Sequence, residues 1–278
     1  MHYPIQGNNY NNDLRAPVGS YHDWAIYGYD GDDILVGANG NDALFGGNGD
    51  DDLYGGYGND ILSGGNGWNY LSGGSGFDIV DYSFYSTTSS GININLTSGE
   101  AYSRGTGPVV DDILSSIEGV IGSTRSDYIV GNSAANSLEG NSGSDTIKGE
   151  GGNDEIWGDR GADALTGGSG FDYFNYESLN DSNFYYGYDT IKDFQSGIDT
   201  IDLSVIDGQS GFLGNNAFRW DGYDSTLNGG QGELAYYFTG SGTTARTVVQ
   251  GDVNGGGVAD IIIYLTGHQS LDSFDFIL

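Results

Sequence analysis

The chain has 278 residues, with 51 glycines, no cysteine, and 39 Asp plus Glu against 8 Lys plus Arg, a formal charge of −31. A field of that sign repels nucleic acid and anionic lipid and attracts cations. Disulfides are excluded, no run approaches the ~20 apolar residues of a membrane helix, and 37% hydrophobic content with 13% aromatic is too rich for a disordered linker.

Residues 1–27 are rich in Asn and Tyr and carry no motif. They are expected to cap the first coil of the repeats that begin at Gly28, because an uncovered strand edge invites aggregation. Met1–Gly19 lacks the basic start and apolar stretch of a cleaved secretion signal, so export would need another route.

From Gly28 the chain divides into six nonapeptides, GYDGDDILV, GANGNDALF, GGNGDDDLY, GGYGNDILS, GGNGWNYLS and GGSGFDIVD, ending at Asp81. One period held this long marks a solenoid of stacked coils. The last three residues of each repeat are predicted as a short strand whose middle side chain, Leu35, Leu44, Leu53, Leu62, Leu71 or Val80, faces inward. The first six are predicted to reverse the chain, and glycine supplies the positive-φ conformations such turns demand. Two repeats make one coil, so repeats two apart stack about 4.8 Å away on the same side. Outward Ile34, Val36, Phe45 and Tyr54 leave a partly apolar outer face, suited to the amino-terminal segment or another chain.

Residues 82–121 are predicted as a β connector, with Ile92, Ile94 and Leu96 alternating with asparagine as in a half-buried strand. From Gly122 the period returns as GSTRSDYIV, GNSAANSLE, GNSGSDTIK, GEGGNDEIW, GDRGADALT and GGSGFDYFN, ending at Asn175. Ile129, Leu138, Ile147, Ile156, Leu165 and Phe174 take the inward position. The predicted fold is therefore all-β: two parallel β-roll (β-helix) blocks of nonapeptide repeats, 28–81 and 122–175, followed by a β-rich cap over 176–278.

Stacking aligns the acids. Asp33, Asp51 and Asn69 form one column and Asp42, Asp60 and Asp78 the opposite one; the second block has Asp127, Asp145, Asp163 and Asn136, Asp154, Asp172. Carboxylates one strand spacing apart repel unless a hard divalent cation sits between them, and the mixture of carboxylate and carbonyl oxygens suits calcium. Ordinary Asp/Gly turns on a solvated solenoid are the plainer reading, but they need no aspartate at one fixed place.

These blocks resemble the RTX (repeats-in-toxin) proteins, and the tail FDYFNYESLNDS, DTIKDFQSGIDTIDLSVID, GELAYY and GDVNGGGVADIIIYLTG resembles the serralysin-type C-terminal region. The resemblance implies secretion through type I machinery by an uncleaved C-terminal signal, here SLDSFDFIL, and folding on extracellular calcium, with about six to eight ions bound. It also implies that one turn gives its second and fourth carbonyls and its aspartate, while the stacked turn gives its first and third carbonyls and its own aspartate.

Carried over, Gly31 and Asp33 face Gly46, Asn48 and Asp51, and Gly40 and Asp42 face Gly55, Tyr57 and Asp60. Gly47, Gly49 and Asp51 face Gly64, Asn66 and Asn69; Gly56, Gly58 and Asp60 face Gly73, Ser75 and Asp78. In the second block Asn141, Gly143 and Asp145 face Gly158, Arg160 and Asp163, and Glu150, Gly152 and Asp154 face Gly167, Ser169 and Asp172. Asn69 and Asn136 keep an oxygen but lose a charge, and Arg125 and Ala134 replace the fourth-position glycine, so their sites are expected to be weaker. Gly256 stands where a calcium loop carries an acid, which disfavours an ion at Asp252 and Asn254.

No catalytic set emerges. His2, His22 and His268 are nowhere at zinc-helix spacing, which excludes a metalloprotease, and neither GxSxG nor a Walker loop occurs. The expectation is a secreted calcium-binding protein with a structural, matrix or cell-surface role and no enzyme activity. The alternative is a carbohydrate-binding module like those of alginate epimerases, or the C-terminal part of a larger secreted enzyme. Tyr173, Phe174, Tyr176, Phe184, Tyr185, Tyr186 and Tyr188 would serve such a sugar platform, though core packing at the cap is the favoured reading. Partners are calcium and the export machinery, with a surface polysaccharide or another chain as further options.

Overall fold

The computed structural model describes residues 3–84, 91–104, 111–206 and 218–278. Parts of the connector (85–90 and 105–110) and the end of the tail motif at 207 lie outside them. The chain forms two compact units, residues 1–132 and 133–278.

In the first unit, strands alternate between two sheets. One holds β1 (Tyr3–Asn8), β3 (Trp24–Asp30), β5 (Ala43–Asn48), β7 (Ile61–Asn66), β9 (Ile79–Asp81) and β13 (Gly119–Ile121), all parallel. The other begins with β2 (Asp13–Arg15), β4 (Ile34–Asn39), β6 (Asp52–Tyr57), β8 (Tyr70–Ser75) and β12 (Asp111–Ser115), again parallel. There β11 (Glu100–Ser103) and β10 (Ile92–Asn95) pair antiparallel, before β10 meets β14 (Tyr128–Val130) in parallel.

The core is a pair of apolar ladders. Ile26, Leu44, Leu62, Val80 and Val120 are in register in one sheet, and Leu35, Leu53, Leu71 and Leu114 in the other. All are buried. Each such side chain contributes roughly 1.5–3 kcal/mol of transfer free energy. Ile92 and Ile94 are also fully buried while Asn93 and Asn95 are half-buried, so the alternation in the connector is real.

Most strands of the first block are longer than the three residues expected. They run through the first three residues of the next repeat, because the ladder continues there: Ala38 pairs with Gly56 and Asn39 with Tyr57. The reversal is thus confined to a few residues around the acid of each repeat.

The amino-terminal segment also differs from a featureless cap. Gly7 to Arg15 is a degenerate repeat, with Asn12 in the acid's place and Leu14 in register with Leu35. Trp24 to Tyr27 supplies the matching strand in the other sheet, with Ile26 fully buried.

The second unit repeats the plan. β15 (Ser137–Glu139), β17 (Glu155–Trp157), β19 (Tyr173–Asn175), β21 (Thr200–Asp202) and β26 (Phe276–Ile277) form one parallel sheet. In the other, β16 (Thr146–Gly151), β18 (Ala164–Ser169), β20 (Asp189–Ile191) and β25 (Ile261–Thr266) run parallel. There β24 (Arg246–Asp252) and β23 (Glu233–Thr239) return antiparallel, and β22 (Arg219–Tyr223) lies parallel on β23. The C-terminal strand is thereby part of the roll, and Asp275 beside it is fully buried, accepting from Ser196 Oγ at 3.0 Å and Gly197 N at 2.7 Å.

Candidate metal centre

The acid of each repeat sits at the end of the reversal, just before the inward-facing strand. Asp33, Asp42, Asp51, Asp60, Asn69, Asp78, Asp127, Asn136, Asp145, Asp154, Asp163 and Asp172 are all at most 3% exposed. The sequence predicted these groups as cation ligands that would otherwise repel one another; each also has a protein partner.

One carboxylate oxygen ties the coils together. The backbone N–H of Asp33 donates to Asp51 Oδ1 at 2.8 Å, that of Asp42 to Asp60 at 2.7 Å, and that of Asp60 to Asp78 at 2.8 Å. In the second unit Asn136 donates to Asp154 at 2.8 Å, Asp145 to Asp163 at 2.7 Å and Asp154 to Asp172 at 3.0 Å. A second ladder, unforeseen, runs the other way: the N–H of Asp50 donates to Asp32 Oδ1 at 3.0 Å and that of Asn59 to Asn41 Oδ1 at 2.9 Å.

The other carboxylate oxygen faces no donor. Oδ2 of Asp33, Asp51, Asp60, Asp78, Asp154, Asp163 and Asp172 is buried without a hydrogen-bond partner. Leaving a buried charge half-satisfied is costly, and a coordinated cation is one way to offset it. Burial, with neighbouring carboxylates adding to it, pushes Asp51, Asp60 and Asp154 up to about 7. Asp163 is raised by burial and by the Asp189 carboxylate beside it.

Main-chain oxygens line the same space. A Cβ at Gly46 would lie 2.5 Å from the Gly64 carbonyl and closer still to Asp51 Oδ2. One at Gly55 would lie 2.7 Å from the Gly73 carbonyl and closer still to Asp60 Oδ2. Third-position carbonyls of Asn48, Tyr57, Asn66, Ser75, Arg160 and Ser169 each accept one bond, from the N–H of Gly31, Gly40, Gly49, Gly58, Gly143 and Gly152. A carbonyl has two lone pairs, so accepting this bond does not exclude coordination of a cation. Oxygen-only donors with an orphaned carboxylate atom fit a hard cation such as calcium. No group of three or more His, Cys, Asp or Glu gathers among the described residues. An ion held here would draw on one or two carboxylates and on main-chain carbonyls.

The turn conformation separates the repeats. Second and fourth positions have positive φ throughout the first block, even where the second is Tyr29 or Ala38, both at 82°. Asn141 with Gly143 and Glu150 with Gly152 match them. Ser123 with Arg125 and Asn132 with Ala134 do not, so those turns lack the paired positive-φ conformation.

Two members of the columns are already committed to protein donors. Asp127 Oδ1 accepts from Ile92 N at 2.6 Å and Ser123 Oγ at 2.8 Å, and its Oδ2 accepts from Ser123 N at 2.6 Å. Asn69 Oδ1 accepts from Asp51 N at 3.0 Å, and its Nδ2 donates to Asp112 Oδ1 at 2.8 Å.

Residues outside the repeats prolong the columns. Asp78 N donates to Glu118 Oε2 at 3.0 Å, Asp163 N to Asp189 Oδ1 at 2.9 Å and Asp172 N to Asp199 Oδ1 at 3.3 Å. Asp189 Oδ2 is buried without a partner, as in the repeats. The signal was a glycine two residues before the acid and a Thr-Ile strand pair after it, in GYDTI and GIDTI, but these acids lie 26 and 27 residues beyond their partners instead of 18.

The Asp252 loop is different. Asp252 Oδ1 accepts from Gly255 N at 2.7 Å and Oδ2 from Gly257 N at 2.6 Å, so the loop satisfies its own acid. The aromatic junction divides: Phe174 and Tyr176 are buried, whereas Tyr173 is exposed on β19 and Phe184, Tyr185 and Tyr186 are exposed after it. Core packing therefore fails for Tyr173 and for those last three. Asn183 folds the latter outward on a tight turn, its Oδ1 accepting from Tyr185 N at 2.8 Å and Tyr186 N at 3.1 Å.

The family described as peptidase M10 serralysin C terminal matches residues 22–278. No curated protein sequence matches. Two subunits of the Azotobacter vinelandii mannuronan C5-epimerase are similar in structure. AlgE6R3 is 25% identical with a TM-score of 0.41, covering 55% of this chain and 79% of its own. AlgE6R2 is 27% identical with a TM-score of 0.42, covering 57% and 91%. The extracellular lipase LipA from Serratia marcescens is 18% identical with a TM-score of 0.30, covering 95% of this chain and 41% of its own.

Proposed function

As the chain belongs to the peptidase M10 serralysin C-terminal family, we propose that it is a calcium-dependent β-roll module that acts outside the cell and uses the ion as its folding switch. The observation that carries this reading is the row of buried Oδ2 atoms without donors on Asp33, Asp51, Asp60 and Asp78. Asp51 with the Gly64 carbonyl, and Asp60 with the Gly73 carbonyl, are the pairs best placed to hold an ion. Asp154 and Asp172 are their counterparts in the second unit. Asp127 and Asn69 are the weakest ligands in the set, because their polar atoms are engaged within the protein.

When bound, calcium neutralises the acids and cross-links successive turns. A site facing ten times its dissociation constant adds about 1.4 kcal/mol to folding. At cytosolic calcium the same sites add nothing, and a chain of charge −31 with 51 glycines stays extended, suited to export. The role outside is structural, as part of a matrix, a cell surface or a longer secreted protein.

Circular dichroism during calcium titration, with magnesium as control, tests this. Little β signal in chelator and a cooperative gain with calcium alone are expected. A fully ordered chain in EDTA, or an equal response to magnesium, would overturn the reading.

A further inference from the structure

A groove of about 400 Å³ lies on the outer face of the first unit, where the antiparallel β11–β12 pair joins the roll. Its volume falls within the range of small-ligand sites. Asp52, Trp68, Tyr70, Glu100, Tyr102 and Asp111 line it, and among the described residues no basic one does. Trp68 is 67% exposed and Tyr102 46%, so both rings are presented to solvent.

The sheet register sets these groups in order. Asp52 is beside Tyr70, Tyr70 beside Ile113 and Ile113 beside Glu100, while Tyr102 stands opposite Asp111. Four adjacent strands span about 14 Å, so the row alternates acid, ring, aliphatic and acid along a line of that length. Below it, Asp112 accepts from Tyr82 Oη and Asn69 Nδ2, both at 2.8 Å, which fixes the floor.

The lining selects its ligand. Ion pairs among the described residues involve Asp13, Asp221 and Glu233, leaving Asp52, Glu100 and Asp111 without a cationic partner. These acids do not gather as a metal-binding cluster, unlike the acids inside the roll. Aromatic faces attract cations that carry apolar surface, and uncompensated carboxylates repel anionic polymers. We propose that this groove binds a linear organic polycation whose ammonium groups reach the two ends of the row while its carbon skeleton lies on Trp68 and Tyr102.

Isothermal titration of the full chain in millimolar calcium tests this with three probes: protonated glucosamine trimer, the same trimer N-acetylated, and spermidine. The glucosamine trimer is expected to bind and the acetylated trimer not to. Spermidine binding as well would point to a polyamine source, and its failure to an amino-sugar polymer.

Trp68→Ala should weaken the amine at least about fivefold, and Asp52→Asn with Glu100→Gln should do the same, whereas Glu155→Gln in the second unit should change nothing. Circular dichroism of each variant in calcium confirms that the roll is intact. Equal binding of the acetylated trimer, no binding of either amine, or amine binding indifferent to Trp68 and to the Asp52/Glu100 pair would overturn the proposal.

Discussion

Asp51 accepts the backbone N–H of Asp33 at 2.8 Å through Oδ1, while its Oδ2 meets no donor in the same buried stack. The two oxygens of one carboxylate thus have separate duties. Asp51→Asn keeps an acceptor for Asp33 and removes the buried charge. It should stabilise the ion-free roll, yet raise the calcium midpoint several-fold. Asp51→Ala also strands the Asp33 N–H, costing about 1–3 kcal/mol more. Calcium titrations and chelator melts of the pair read the two effects apart; an unchanged midpoint in both would remove Asp51 from the ligands.

Protons compete for the same atoms. Burial pushes Asp51 and Asp60 up to about 7 from an ordinary 3.8. Between those values the ion-free fold holds protons that the unfolded chain has already lost. Its stability therefore falls as pH rises through that window and is greatest below it. Calcium requires the ionised form, so the calcium midpoint should rise as pH drops from about 8 to about 5, with protons released on binding. Titrations across that range check it, and a flat midpoint would contradict it.

Gly58 has φ 122°, and a Cβ there would overlap the Gly40 carbonyl oxygen one coil away. Gly197, at φ 78°, has open space around it. Gly197→Ala should cost about 1–2 kcal/mol of backbone strain, and Gly58→Ala clearly more, because stacked backbone must also move. Denaturant melts in calcium compare them.

Leu53 is fully buried between Leu35 and Leu71, whereas Leu14 at the start of the ladder is half-buried. Leu53→Ala is expected to cost about 2–5 kcal/mol and Leu14→Ala less. The same melts decide whether the amino-terminal coil shares the core.

Asp252→Ala should loosen the loop it organises through Gly255 and Gly257 without changing the number of calcium ions bound. Equilibrium dialysis would detect a lost ion, which would assign that loop a metal after all.

The period made the inward ladder legible, because Leu35, Leu53 and Leu71 recur at a fixed spacing whatever the turn contains. It also picked out the acids. It could not show that their Oδ1 atoms belong to the coil before, since that depends on how the backbone N–H groups stack. Asn12, Asp189 and Asp199 escaped because their coils keep the acid or amide and the strand but lie 21, 26 and 27 residues from their partners, off the 18-residue period. Phe184, Tyr185 and Tyr186 were misjudged for a different reason: composition favours burying aromatics, and only the Asn183 turn reveals that they face out.

The opposed ladders of Asp32 with Asp50 and Asp33 with Asp51 both link residues 18 apart. Lineages can therefore lengthen or shorten this roll without scar only by gaining or losing a pair of nonapeptides at once. A single one would deliver every downstream strand, including the β12 seam with β8, to the wrong wall.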